Sequence, residues 1–470
     1  MLVTLRYGLV ARSLFRTGFL EALRSAGLNL VFVCPAAHEE YLVSEIGGPQ
    51  VALEPFPSIR SGFPEAIFES FTDSLLFDHP GTTFTMTMKW RRLLEERRYF
   101  SFLLKGFLSL FRLHRSRGLR ALAERMDRRL FRHPEVGAIL DRFKPDLVVT
   151  TDLFASECHF VREAVRRGLP TVCLVKSWDN LTSKTRIRVH PDRLVVWSER
   201  QKEEATALHY YPADRIAALG APNFDLFKQT NLPQFTRAEF LKSIGSDPSA
   251  KLIVYSPGNK LTKSDDENLM RIHRILHSGV LPYRCHLHVR KYPKSSQEFS
   301  HLHHLEGFSV ENAGRVVESW ADHVDQPREE MVHLGELMCH TDVLIHIGST
   351  IAVDACCFDR PTIGFYLDSM DPSVSRNDYP PHVFDLTHNR YLVDLGCQRI
   401  VKTEDDLVAA LRQYLDSPET DCEGRRAVVE TICGRFDGRS ARRAAEFVVS
   451  LLPLPVTQEA GQPIPTTSAG

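Results

Sequence analysis

Along the first 227 residues, short apolar runs alternate with segments whose apolar residues recur every three or four positions. LVTLRYG reads as a strand, ARSLFRTGFLEALRSAG as a helix closed by Gly27, and LNLVFVCP as a second strand. A run of four to eight apolar residues suits a strand buried on both faces, and the three-to-four spacing marks the buried stripe of a helix. Strand, helix, strand in close succession is a βαβ unit, which requires parallel strands. The order returns at KPDLVVTTD, SECHFVREAVRRG and LPTVCLVKSWDN, and then at RLVVWS, ERQKEEATALHYY and RIAALGAP.

Residues 228–250 are polar and interrupted (KQTNLPQFTRAEFLKSIGSDPSAK), and read as a linker. A second series occupies 251–452. Its expected strands are LIVYSPG, RCHLHVRKYP, GRVVE, DVLIHIG and PTIGFY. Its expected helices are DDENLMRIHRILHSG, EEMVHLGELMCHT, STIAVDACCFD, VKTEDDLVAALRQYLDS and GRSARRAAEFVVSLL. The tail, 453–470, is rich in proline and polar residues and is expected to be disordered. The pattern therefore predicts an α/β chain of two doubly wound, Rossmann-like parallel sheets, 1–227 and 251–452, facing a cleft at the carboxyl ends of their strands.

Composition narrows this only a little. At 470 residues the chain is too long for one core. A net charge of −1 points to neither nucleic acid nor an acidic partner. The 10 cysteines form no CxxC pair and several lie in apolar runs, so a reduced, cytoplasmic chain without a zinc site is expected. The opening residues do not resemble a signal peptide, which leaves Asn180-Leu181-Thr182 little weight as a glycosylation acceptor. Charge is uneven, however. Between Lys89 and Arg132 there are 14 Lys or Arg against 4 Asp or Glu, interleaved with Phe and Leu at helical spacing. This basic helical insertion, about 86–132, is suited to an anionic membrane surface.

Candidate chemistry gathers at strand ends. In DVLIHIGSTIAVDACCFD, Gly348 lets a ligand approach the backbone, Ser349 and Thr350 open a helix, and Asp354 lies about a turn further on. The loop Gly258-Asn259-Lys260 and the strand end carrying Arg290 and Lys291 belong to the same half. In the first half, VKSWDNLTSK places Trp178, Asp179 and Asn180 just after a strand. Trp178 and Asn180 suit an acceptor sugar, and Asp179 a proton acceptor, with Asp152 as the competing carboxylate. Arg6, Arg12 and Arg16 surround the first strand-to-helix turn and suit a phosphate. The group His301, His303 and His304 lies in a polar region and reads as surface.

The run TDVLIHIGSTIAVDACCFDRPTIGF, the basic strand end HVRKYP and the late FDGRSARRAAEF resemble the donor-binding half of GT-B glycosyltransferases. That plan is shared with the sugar-nucleotide 2-epimerases. Together with SWDNLTSK, VVWSERQKEEA and LGAPNFDLF, the chain resembles bacterial surface-carbohydrate glycosyltransferases near the CDP-glycerol glycerophosphotransferase type. The resemblance implies a nucleotide-sugar donor as substrate, with no further cofactor and no metal. It implies that Gly348, Ser349 and Thr350 hold the donor diphosphate; the loop Gly258-Asn259-Lys260, read from its own residues, points at the same cleft. Asp354 would hold the ribose, and Arg290 and Lys291 would offset the leaving group's charge. Many relatives carry His-Pro after a basic residue, where this chain has Lys291-Tyr292-Pro293. The expected activity is transfer of a sugar to a surface-glycan or lipid-linked acceptor at the inner face of the membrane. The alternatives are transfer of a polyol phosphate from a CDP-linked donor, 2-epimerisation of a sugar nucleotide, and nucleotide-sugar binding without turnover.

Overall fold

The structure is a computed structural model, and it describes residues 1–75, 93–94, 96–154, 156–258, 265–292, 295, 297–365 and 383–452. The chain divides into two compact units. The first comprises residues 1–223, 317–323 and 439–470, and the second 224–316 and 324–438.

The first unit is built on seven parallel strands. They are β1 (Leu2–Thr4), β2 (Leu30–Cys34), β3 (Val51–Pro55), β4 (Val148–Thr150), β5 (Thr171–Leu174), β6 (Arg193–Val196) and β7 (Ile216–Ala218), in the order β3-β2-β1-β4-β5-β6-β7. Alternate residues feed opposite faces. Val3, Phe32 and Val149 join a core with Leu14, Phe19 and Leu23, while Leu2, Val31, Val33 and Val148 join one with Ile139, Phe160 and Ala164. Burial on both faces explains why these strands read as unbroken apolar runs. The expected single helix after β1 is two, Gly8–Phe15 and Phe19–Ser25, because Gly18 adopts φ 101 and turns the chain between them. The edge strand β3, half-exposed along most of its length, carries no such apolar run and was not expected.

The second unit holds β8 (Lys251–Ser256), β9 (Cys285–Lys291), β10 (Phe308–Asn312), β11 (Arg315–Val316), β12 (Val324–Asp325), β13 (Val343–His346), β14 (Thr362–Phe365) and β15 (Arg399–Val401). Six of these form a parallel sheet in the order β10-β9-β8-β13-β14-β15, and β11 pairs antiparallel with β12. GRVVE therefore contributes to a short ribbon rather than to the main sheet. The two outer strands, β10 and β15, were not expected either.

Three segments depart from the expected boundaries, 1–227 and 251–452: residues 224–250, which include the expected linker, belong to the second unit and carry the helix Arg237–Ser243 with Phe240 and Leu241 buried. The closing helix Ser440–Ser450 belongs to the first unit, where Ala441, Ala444, Ala445 and Val448 are buried with Phe19 and Leu23. Residues 317–323 also belong there. Trp320 is fully buried in that core and donates its indole N–H to the Tyr41 hydroxyl at 2.7 Å. The tail 453–470, expected to be disordered, lies outside the described residues, as do residues 86–92 and 95 of the expected insertion.

Trp320→Ala should destabilise the protein by ~3–5 kcal/mol, from the cavity and the lost hydrogen bond. Chemical denaturation followed by circular dichroism measures it, and a loss below ~1 kcal/mol would show that this residue is not part of the core.

Candidate active site

In each sheet the strand order reverses once, between β1 and β4 in the first unit and between β8 and β13 in the second. Loops leaving neighbouring strands on either side of such a reversal diverge, which opens a crevice at the strands' carboxyl ends.

In the first unit the crevice is polar. Asp152 follows β4 and Lys176 follows β5, and Lys176 Nζ lies 2.5 Å from Asp152 Oδ2. The same ammonium sits 3.5 Å from the centre of the Tyr7 ring, which follows β1. Burial works against the Lys176 charge, but Asp152 and Tyr7 outweigh it and the net shift is upward. Beneath them Glu157 is fully buried. Its Oε2 accepts from Thr4 Oγ1 (2.6 Å), Thr151 N (2.7 Å) and Asp152 N (3.2 Å), so it ties β1 to the end of β4. Burial, reinforced by the charge of Asp152, pushes the Glu157 carboxyl up to about 7. Lys176, Tyr7 and Glu157 were not singled out from sequence; a lysine inside an apolar strand end was the available signal.

The SWDN loop is one turn of helix, Asn180–Ser183, preceded by Asp179. Asp179 is half-buried, and its two carboxylate oxygens accept from Ser177 Oγ (2.5 Å) and Ser183 Oγ (2.6 Å). Trp178 is only 3% exposed and Asn180 4%, so both pack into the unit in this structure rather than presenting a face to an acceptor. The helix Glu199–His209 fixes the loop from behind. Gln201 Nε2 donates to Ser177 O at 2.9 Å, and His209 Nε2 lies 2.9 Å from Leu181 O. Burial lowers the His209 imidazole to about 3, so it is neutral and donates from Nε2. On the same helix Glu204 pairs with Arg200 at 2.7 Å. Burial raises the Glu204 carboxyl to about 7, against the pull of Arg200 and with help from the charge of Asp179. It is a second carboxyl near this loop that the sequence did not flag.

The arginines of the first turn are differently placed. Arg16 forms a two-point pair with Glu45, at 2.6 and 2.7 Å, with its side chain almost fully buried. The backbone N–H groups of Gly8 and Leu9, which open the first helix, donate to the Asp322 carboxylate at 2.9 and 3.1 Å. A built-in carboxylate thus occupies the place a phosphate would take. Arg12 is half-buried on the same helix, and Arg6 lies over the Phe56 ring.

In the second unit the β8–β13 reversal brings Gly258 and Gly348 to one end of the sheet. Gly258 N donates to Asp265 Oδ2 at 3.1 Å; Asn259 and Lys260 lie outside the described residues. Gly348 has φ 62, and a Cβ there would stand 2.5 Å from Val383 Cγ2, so both conformation and space demand glycine. Ser349 N donates to His346 Nδ1 at 3.0 Å, while His346 Nε2 meets Gln398 Oε1 at 2.7 Å. Burial lowers His346 to about 4, which makes it the neutral acceptor this arrangement needs. Ser349 is half-buried, Thr350 exposed, and Asp354 half-buried in the helix Ile351–Cys357.

Arg290 and Lys291 are the last two residues of β9, at its carboxyl end as expected. Arg290 stands opposite Glu311 in the β9–β10 register and is paired with both Glu311 and Glu330, and Lys291 is paired with Glu298 at 2.7 Å. Their charges are neutralised inside the protein.

A buried cluster of Glu65, His133 and His159 has the composition of a metal site. It does not fit one. Arg162 Nη1 lies 2.9 Å from Glu65 Oε1 and 3.0 Å from His159 Nδ1, and Arg188 Nη2 is 3.2 Å from Glu65, so guanidinium groups fill the cation's place. Burial and Arg162 hold His159 down to about 2, neutral and fixed.

The sequence profile of the CDP-glycerol:poly(glycerophosphate) glycerophosphotransferase family matches residues 175–450, more than half of the chain. The chain belongs to this family. Membership makes it one of a family of transferases and places the SWDN loop, Gly348 and Asp354 inside the matched region. No curated protein matches the chain. Among solved structures it is similar to the Staphylococcus aureus MnaA–UDP complex (10% identity, TM-score 0.51, covering 100% of this chain and 98% of that one). It is also similar to a UDP-GlcNAc 2-epimerase from Neisseria meningitidis bound to UDP-GlcNAc (10%, 0.52, 96% and 100%). At this identity both show the fold, the two Rossmann-like domains of the GT-B type. The wall teichoic acid polymerase TagF aligns over 65% of this chain and 72% of its own, with 14% identity and a TM-score of 0.40.

Because Glu157 binds its proton more tightly in the folded state, its contribution to stability is full below about pH 4.5 and lost as pH rises to about 7. Glu157→Gln should therefore compare worst with the wild type at acid pH and gain on it by roughly 2 kcal/mol between pH 5 and 7. Denaturation across that range measures the difference, and a pH-independent gap would contradict the placement of Glu157.

Proposed function

We propose that the protein is a glycosyltransferase that carries a sugar from a nucleotide-activated donor to a hydroxyl of a surface-glycan or lipid-linked acceptor, working from the cytoplasmic side of the membrane. Family membership over residues 175–450, a region that contains both Asp179 and the Gly348–Asp354 segment, supports a transferase, and the fold shared with structures that hold UDP and UDP-GlcNAc favours a sugar donor. In this reading the backbone at Gly348, with the hydroxyls of Ser349 and Thr350, receives the donor diphosphate, and Asp354 its ribose. Arg16, Arg290 and Lys291 serve the fold. Asp179, within reach of solvent and oriented by two serine hydroxyls, takes the proton of the acceptor hydroxyl. Asp152, almost fully buried, anchors Lys176. Among the described residues no helix is long and apolar enough to cross a membrane.

The family's own description favours a second reading, transfer of a polyol phosphate from a CDP-linked donor. The two readings break different bonds. Sugar transfer cleaves the bond between the anomeric carbon and oxygen and releases a nucleoside diphosphate. Polyol-phosphate transfer cleaves the phosphoanhydride and releases CMP.

Incubation with CDP-glycerol and a panel of UDP-, GDP- and CDP-sugars in the presence of membrane extract, with chromatography of the released nucleotide, separates them. A nucleoside diphosphate supports glycosyl transfer, CMP supports the second reading, and nucleotide binding without release would leave a non-catalytic module. Asp179→Asn should lower kcat by about 100-fold or more with donor affinity unchanged. Wild-type turnover in that variant would remove Asp179 as the base.

A further inference from the structure

Behind the Gly348 turn lies a histidine to which no role has been given. His346 is the last residue of β13, in register with Ser256 of β8 on one side and Gly364 of β14 on the other, so it sits at the centre of the second unit's sheet. It is 1% exposed, and the Phe384 ring stands edge-on to it at 5.7 Å. A Cβ on Gly364 would stand 2.8 Å from that same ring, so glycine there leaves the space in which Phe384 packs. An imidazole in such a place must satisfy both of its nitrogens inside the protein.

The two bonds it makes fix its chemistry. The Ser349 backbone N–H can only donate, so Nδ1, 3.0 Å away, is the acceptor and carries no proton. The proton of the neutral ring is then on Nε2, which donates to Gln398 Oε1 at 2.7 Å. That orientation leaves Gln398 Nε2 buried and without a partner among the described residues, so it is the ring and not the amide that selects it. The backbone dictates the ring, and the ring dictates the amide.

What the Nδ1 bond closes is the turn itself. It runs from the side chain of residue 346 to the backbone of residue 349, across Gly348 at φ 62. Glycine has more conformational freedom than any other residue, so a glycine turn keeps one shape only when its surroundings restrain it. On one side the restraint is Val383 and Asn389. A Cβ on Gly348 would stand 2.5 Å from Val383 Cγ2 and 3.2 Å from Asn389 Nδ2, and Asn389 Nδ2 donates to Val383 O at 2.8 Å. On the other side it is His346. The imidazole also commits the Ser349 N–H to the protein, so a diphosphate at this turn is received by the neighbouring groups and not by that one.

We propose that His346, held by Gln398 with its proton on Nε2, is the positioning residue that preshapes the Gly348–Thr350 turn for the donor diphosphate. This role rests on, and deepens, the reading of the segment as the donor site. His346 is buried and acts only through Ser349.

Isothermal titration of the full chain with UDP, CDP, GDP, ADP, TDP and CMP tests it, on the wild type and three variants. In His346→Asn the side-chain oxygen takes the place of Nδ1, and affinity for the nucleotide that the wild type binds should stay within ~3-fold. His346→Leu removes the acceptor and should weaken binding at least ~10-fold. Gln398→Met leaves the Nε2–H unpaired and should give a loss between these two; it serves alone if the leucine variant does not fold, which circular dichroism shows. Nitrogen NMR of the histidine-labelled wild type at neutral pH should find His346 protonated on Nε2 alone. The positioning role is overturned if His346→Leu, or Gln398→Met in its stead, binds as tightly as the wild type. It is also overturned if His346→Asn loses as much as His346→Leu, because a general loosening of the core then explains both, or if the ring proton is on Nδ1. A wild type that binds none of the six nucleotides refutes the donor reading itself, and the role of His346 falls with it even where NMR finds the proton on Nε2.

Discussion

The architecture depends on the reversal of strand order in each parallel sheet. Parallel strands send every carboxyl end to the same edge, and only where the order reverses do neighbouring loops diverge enough to leave room for a ligand. In the first unit that place is filled with chemistry. Glu157 binds β1 to the end of β4, Asp152 and Lys176 pair across β4 and β5, and Tyr7 closes over the ammonium. In the second unit, Gly348 is the pivot, since no side chain fits at its φ 62 against Val383.

Charge in this protein is mostly turned inward. Arg162, Arg188, Asp127 and Glu65 form a desolvated network, and Arg290 sits among Glu311 and Glu330. Removing one member of such a network costs more than the network contributes, because the partner is left buried and unpaired.

The plan of both sheets was legible because their central strands are buried on both faces and therefore read as unbroken apolar runs. The edge strands β3 and β10 were not, since most of their residues are only half-buried and the pattern is mixed. The helix break at Gly18 was hidden because the apolar spacing continues across it. At the candidate site, Asp152, Asp179 and Gly348 were found from their place after a strand. Arg290 and Lys291 were read as free cations from their place at a strand's carboxyl end. What the single chain does not display is that Glu311 lies opposite Arg290 on a strand with no apolar signature. Lys176 and Glu204 escaped notice because a lone lysine or a helical glutamate is ordinarily solvated, and only tertiary packing makes either unusual.

The central claim is that the Gly348–Asp354 segment receives a nucleotide. Thermal denaturation of the wild type and of Asp354→Ala with UDP, CDP, GDP, ADP, TDP and CMP addresses it directly. At a hundred times the dissociation constant a bound nucleotide stabilises by about 2.7 kcal/mol. The account predicts that one nucleotide raises the wild-type midpoint and that the variant, folded and otherwise unchanged, loses the response. A wild type indifferent to all six, or a variant that responds as the wild type does, would contradict it.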